Sequence, residues 1–129
     1  MAIDETRGYE VVTDMLGEQY AKSMKAADTS KVFGARLGAF ALRFVFSEIW
    51  TRPGLSRRDR SLVTLGILIA SRNPEELKIH IGNAIRNGVT VDEIEEVLYH
   101  AIPYAGFPAA NTAIRMAAEV LTGMGLLPR

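Results

Sequence analysis

Asn73-Pro74-Glu75-Glu76-Leu77-Lys78-Ile79-His80-Ile81-Gly82-Asn83-Ala84-Ile85-Arg86-Asn87-Gly88-Val89-Thr90 reads as one complete helix with both of its ends encoded. Asn73 is a capping residue type, Pro74 occupies the first helical position where no amide hydrogen is needed, and Glu75 and Glu76 sit where the helix dipole favours negative charge. Leu77, Ile81, Ala84 and Ile85 repeat at helical spacing and form one apolar stripe. Gly88 after Asn87 supplies a left-handed stop.

The same reading extends in both directions. Toward the C-terminus, Thr90 with Glu93 forms a capping box that opens a helix whose Ile94, Val97, Leu98, Ala101 and Ile102 face a core. Pro103, Gly106 and Pro108 are expected to interrupt it, and a last helix runs to about Leu121 before Gly123 and Gly125. Toward the N-terminus, Ser56 with Asp59 resembles another capping box and starts a helix over about Arg57 to Ser71. Its buried face is Leu62, Leu65, Gly66 and Ile69; Val63, Ile67 and Leu68 widen it enough to place the helix at the centre of the fold or at a subunit interface. Ahead of Pro53-Gly54, a helix is predicted from about Ser30 to Ile49, with Val32, Phe33, Leu37, Phe40, Ala41, Phe44 and Val45 inward and Gly34 and Gly38 admitting a close neighbour. A first helix is predicted from Asp4 to Ala27, with the stripe Tyr9, Val12, Met15, Leu16, Tyr20 and Met24. No segment alternates with period two, so the class is all-α in a single domain over residues 1–129.

Composition narrows the function. The 129 residues are 48% hydrophobic, enough for one core, and 15 basic residues balance 15 acidic ones, so nucleic acid and anionic membranes are not expected partners. The apolar run Leu62–Ala70 is about half of what a spanning helix needs, and Met1-Ala2-Ile3-Asp4-Glu5 has no basic flank or apolar stretch of a signal peptide. A soluble, cytoplasmic protein is expected. With no cysteine there is no disulfide, no thiolate nucleophile and no thiolate metal site; no metal centre is expected either.

From Glu48 onward the landmarks fall in a familiar order: Glu48-Ile49-Trp50-Thr51-Arg52-Pro53-Gly54-Leu55, Arg57-Arg58-Asp59-Arg60-Ser61-Leu62, Glu75-Glu76-Leu77-Lys78-Ile79-His80, Ala84-Ile85-Arg86-Asn87-Gly88-Val89-Thr90 and Tyr104-Ala105-Gly106-Phe107-Pro108-Ala109-Ala110-Asn111. In this the chain resembles the carboxymuconolactone decarboxylase family. The resemblance covers about two thirds of the chain; the first 45 residues match much less well. Ser47 departs from the Gly that relatives tend to carry there, and Pro103 from an apolar residue. The resemblance implies an alkylhydroperoxidase D-like orthogonal bundle of about six helices, a homo-oligomer (hexamer or trimer), and loss of carbon dioxide from 4-carboxymuconolactone to give the β-ketoadipate enol-lactone in aromatic catabolism. The peroxidase branch of that fold carries Cys-x-x-Cys-x-x-x-His; aligning its histidine with His80 puts its cysteines on Asn73 and Glu76, so disulfide-coupled peroxide reduction is closed to this chain.

A lactone of that kind supplies its own electron sink, because the pair released with carbon dioxide spreads onto the lactone carbonyl. No cofactor is expected; the protein must hold carboxylates, stabilise an oxyanion and deliver a proton to carbon. His80, at the margin of its apolar stripe between Glu76 and Asn83, is the candidate proton donor or else a boundary residue bonded to Glu76. Arg60, next to the buried run, is the candidate carboxylate ligand, with Arg57 and Arg58 read as a solvated basic turn and Arg52 as a second anchor or a partner of Glu48. Glu48 is a second catalytic candidate, as an acid or as a group orienting His80. Trp50 and Tyr104 are either pocket walls that touch substrate or ordinary packing, and His100 is read as structural. An oligomer of the same fold that binds a small organic acid without turning it over is the alternative, and a purely structural oligomer a further one.

Overall fold

A computed structural model describes residues 4–128; Met1–Ile3, part of the N-terminal run read above, lie outside the described residues. The described residues are helical throughout, with seven α-helices and no strand. The chain divides into two compact units, Met1–Leu55 and Ser56–Arg129.

In the first unit the single predicted helix is two, α1 (Glu5–Leu16) and α2 (Glu18–Ala26). Gly17 separates them at φ +101, a backbone conformation that side chains with a Cβ resist. Asp4 caps α1 by accepting from the Thr6 amide at 3.1 Å. Val11, Val12, Met15, Ala21 and Met24 are buried, while Tyr20 is exposed, contrary to the predicted stripe.

The predicted helix from Ser30 also changes. A short turn (Ala27–Thr29) precedes α3 (Leu37–Phe40), which runs straight into a π-helical stretch, Ala41–Ile49, closed by Trp50 N–H donating to the Val45 carbonyl at 2.9 Å. Leu42, Phe46 and Trp50, four residues apart, are buried together; in an ordinary α-helix each such step would rotate the side chain by about 40° off the line. The 3.6-residue period had predicted a different set. Val32, Phe33, Leu37, Phe40 and Phe44 are exposed, Phe33 completely.

At one point the π stretch meets α1 backbone to backbone. A Cβ on Gly8 would lie 2.8 Å from Ser47 Cα, so only glycine fits, and the Ser47 hydroxyl is buried there without a hydrogen-bond partner among the described residues. Arg43 joins the unit electrostatically, with Nε 2.8 Å from Glu5 and an Nη 2.5 Å from Asp28.

The second unit packs α4 (Arg57–Ala70), α5 (Pro74–Arg86), α6 (Val91–Ala105) and α7 (Phe107–Gly123). Helix α5 lies against α4 and α7, and α6 against α7 and α4. Leu65, Ile69, Leu77, Ile81, Ala84, Ile94 and Leu98 meet the alanines of α7, Ala109, Ala113 and Ala117, whose small side chains allow close approach. Several predicted ends hold. Ser56 accepts from the Asp59 amide, Pro74 stands in the first turn of α5, and Gly88 has φ +95. Thr90 and Glu93 make both bonds of the capping box, at 3.0 and 3.1 Å. Pro103, however, does not interrupt α6. It sits in the last turn, where losing one amide donor breaks little, and the break falls at Gly106 (φ +94).

Candidate active site

His80 is carried by α5, whose buried stripe fixes the helix on the core of the second unit; Asn73 does not cap its first turn as expected, its side-chain amide donating instead to Ser71 Oγ at 2.7 Å. The imidazole is half-buried, and its Nδ1 lies 3.4 Å from Nδ2 of Asn83, one turn on. Asn83 is wholly buried. Burial lowers the His80 pKa below its usual 6.5; the charge of Glu76, a turn earlier, opposes this and is the weaker influence. The ring is therefore neutral at pH 7.

Arg60 occupies the first turn of α4, half-buried with its Nε inside the protein. Its amide donates to the Ser56 carbonyl at 3.0 Å, and its own carbonyl accepts from Thr64 Oγ1 at 2.8 Å, so the backbone that carries it is held on both sides. Arg58 is not the freely solvated residue expected: it pairs with Asp59 at 3.3 Å and with Glu93, tying the start of α4 to the start of α6. Ser61, also buried, accepts from Asn87 Nδ2 at 3.0 Å and fastens α4 to the end of α5.

Tyr104, in the last turn of α6, is 81% exposed and lies over His100, with ring centroids 5.2 Å apart. Both belong to an open groove of about 660 Å³ between α4 and α6, floored by Leu62, Gly66, Ala101 and Ala105; the groove walls do not include His80 or Arg60. Tyr104 is thus a groove residue, and His100 shares its setting.

In the first unit, Trp50 is buried and stacks on Phe46 at 6.4 Å, the packing alternative of its two readings. Glu48 and Arg52 are exposed at the same end of the π stretch. Two aspects escaped the sequence reading. Asn83 is a helical neighbour of His80, and an amide two residues past Ile81 inside an apolar stripe is a visible signal of a partner; the Arg58–Glu93 pair, joining residues far apart in sequence, carries none. Among the described residues no three His, Cys, Asp or Glu side chains gather as metal ligands.

The model of the carboxymuconolactone decarboxylase family matches residues 35–119. The 4-carboxymuconolactone decarboxylase of Acinetobacter baylyi is 41% identical over 128 residues, covering 97% of this chain and 94% of that protein. The nitrosuccinic acid decarboxylase of Metarhizium robertsii is 34% identical over 117 residues, covering 91% and 80%.

Proposed function

Since the chain belongs to the carboxymuconolactone decarboxylase family, we propose that it is a cofactor-free carboxy-lyase acting on a carboxylated unsaturated lactone, converting 4-carboxymuconolactone to the β-ketoadipate enol-lactone. The near full-length similarity to a decarboxylase of that name carries the reading. A second relative named for the decarboxylation of a different acid supports carbon dioxide loss as the shared chemistry.

In the reaction the carbon–carboxylate bond breaks, carbon dioxide leaves, and the electron pair passes through the ring double bond to the lactone carbonyl oxygen; a proton drawn ultimately from water then adds at the ring carbon next to that carbonyl, leaving the double bond at the carbon that lost the carboxylate, which is the enol-lactone. His80 is the catalytic residue that meets the enolate. A neutral N–H in a half-buried position stabilises the oxyanion as charge collects there, and the surrounding burial strengthens that hydrogen bond. Arg60 holds a substrate carboxylate. The protein works as a cytoplasmic homo-oligomer, with a trimer or hexamer expected; the exposed row Val32, Phe33, Leu37, Phe40 and Phe44 supports association.

Freshly generated 4-carboxymuconolactone incubated with the purified protein, with carbon dioxide release followed, tests the activity. Saturable release above the protein-free rate is expected. Stabilisation of the fold by dicarboxylates without release identifies a small-acid binder instead.

A further inference from the structure

The wholly buried Asn83 does more than fill α5. Its amide nitrogen can only donate, so at 3.4 Å from His80 Nδ1 it requires that nitrogen to be the acceptor. A neutral imidazole carries one proton; if Nδ1 accepts, the proton is on Nε2. We propose that Asn83 is the positioning residue of the site, holding His80 as the tautomer protonated at Nε2 and fixing the turn of its ring. This rests on the assignment of His80 as the group that meets the enolate, and it names which ring atom does so.

Three observations support the assignment. Asn83 lies between the buried Ile81 and Ala84, where an amide is retained at a cost unless its polar atoms are used. The backbone beneath it is held, since its carbonyl accepts from the Asn87 amide at 2.9 Å and the Asn87 side chain is itself bonded to Ser61. His80 and Asn83 are three residues apart on one helix, so their separation is set by helix geometry and does not depend on a mobile loop.

The test reads the ring directly. In ¹⁵N-labelled wild-type protein at mildly alkaline pH, where the imidazole is neutral, His80 should show a bare Nδ1 and a protonated Nε2; a protonated Nδ1 overturns the proposal without reference to activity. Asn83→Asp, nearly the same shape but acceptor-only, should move the proton to Nδ1 and lower kcat by about 10-fold or more while leaving KM within about twofold, since the lost contact strengthens in the transition state. Asn83→Gln, which keeps the amide, should recover part of both signals. An Asp variant with wild-type tautomer and wild-type kcat refutes the inference. Should that variant not fold, the wild-type spectrum still decides the tautomer. In a His80→Ala background Asn83→Asp should cost no further turnover. Full activity of His80→Ala with the Nε2 tautomer intact in the wild type removes the catalytic assignment and leaves the positioning contact standing, so the two failures are separable.

Discussion

At the scale of single residues, the decisive property is the protonation state of His80. Burial holds its pKa below 6.5, so from about pH 7 upward the ring stays neutral and its hydrogen-bonding capacity does not change. Decarboxylation should then proceed with a level kcat from neutral into mildly alkaline solution, where an imidazolium acid would lose about tenfold per pH unit; a pH profile on the lactone checks this. His80→Ala should lower kcat by ~10²- to 10³-fold, the usual loss when one oxyanion donor is removed, and His80→Gln, retaining a neutral N–H donor, should recover part of it. Wild-type turnover in His80→Ala, with a lowered melting temperature, would make the histidine a boundary residue. Arg60→Ala should behave differently, raising KM by about 10-fold or more with a smaller effect on kcat, because a carboxylate anchor serves ground and transition states alike. Steady-state kinetics separate the two patterns. The type and position of His80 and Arg60 were readable from sequence because both stand beside apolar runs. The neutral state of the ring was not, since it depends on how far the histidine is covered, which spacing along one helix leaves open.

Among the elements, the helix ends were legible where their chemistry is local. Thr90 and Glu93 lie three residues apart, so their reciprocal bonds follow from sequence alone; Thr90→Ala should cost about 1 kcal/mol of stability, measured by urea denaturation. Glycines and prolines were less legible. Gly17 breaks a helix and Pro103 does not, and only the tertiary setting distinguishes a glycine tolerated within a helix from one turned to positive φ. The π stretch hides its inward face for a related reason: apolar residues stand on more than one side of it, and spacing along the chain does not say which side, Leu42 and Phe46 or Phe40 and Phe44, is covered. The contact it makes with α1 yields an opposed pair of expectations. Gly8→Ala drives a methyl group into the backbone at Ser47 and should destabilise the protein by about 3 kcal/mol or more. Ser47→Ala removes a buried hydroxyl with no hydrogen-bond partner and should be neutral or stabilising by up to about 1 kcal/mol. Paired thermal melts of the two variants read both signs.

For the molecule as a whole, the all-α class was legible because every long segment carries the helical period, and the family because its landmarks stand in order along the chain. The partnering of surfaces was not. A helical apolar stripe indicates that something covers it without indicating whether that cover is the same chain or another, and the predicted inward set Val32, Phe33, Leu37, Phe40 and Phe44 is exposed. At roughly 200 Å² for a whole aromatic side chain, the exposed parts of Phe33, Phe40 and Phe44 alone offer on the order of 400 Å², about half of one side of a standard interface. Light scattering at micromolar concentration should therefore give a mass of three or more subunits, and Phe33→Ser with Phe40→Ser should reduce it; a monomeric wild type would rule out the assembly. If that phenylalanine row is covered only by a neighbour, the melting temperature ceases to be a constant of the chain. It becomes a function of how much protein is in the tube, rising with concentration and falling on dilution as mass action strips the neighbours away, so that a cell producing too little of the protein would also hold it in its least durable form.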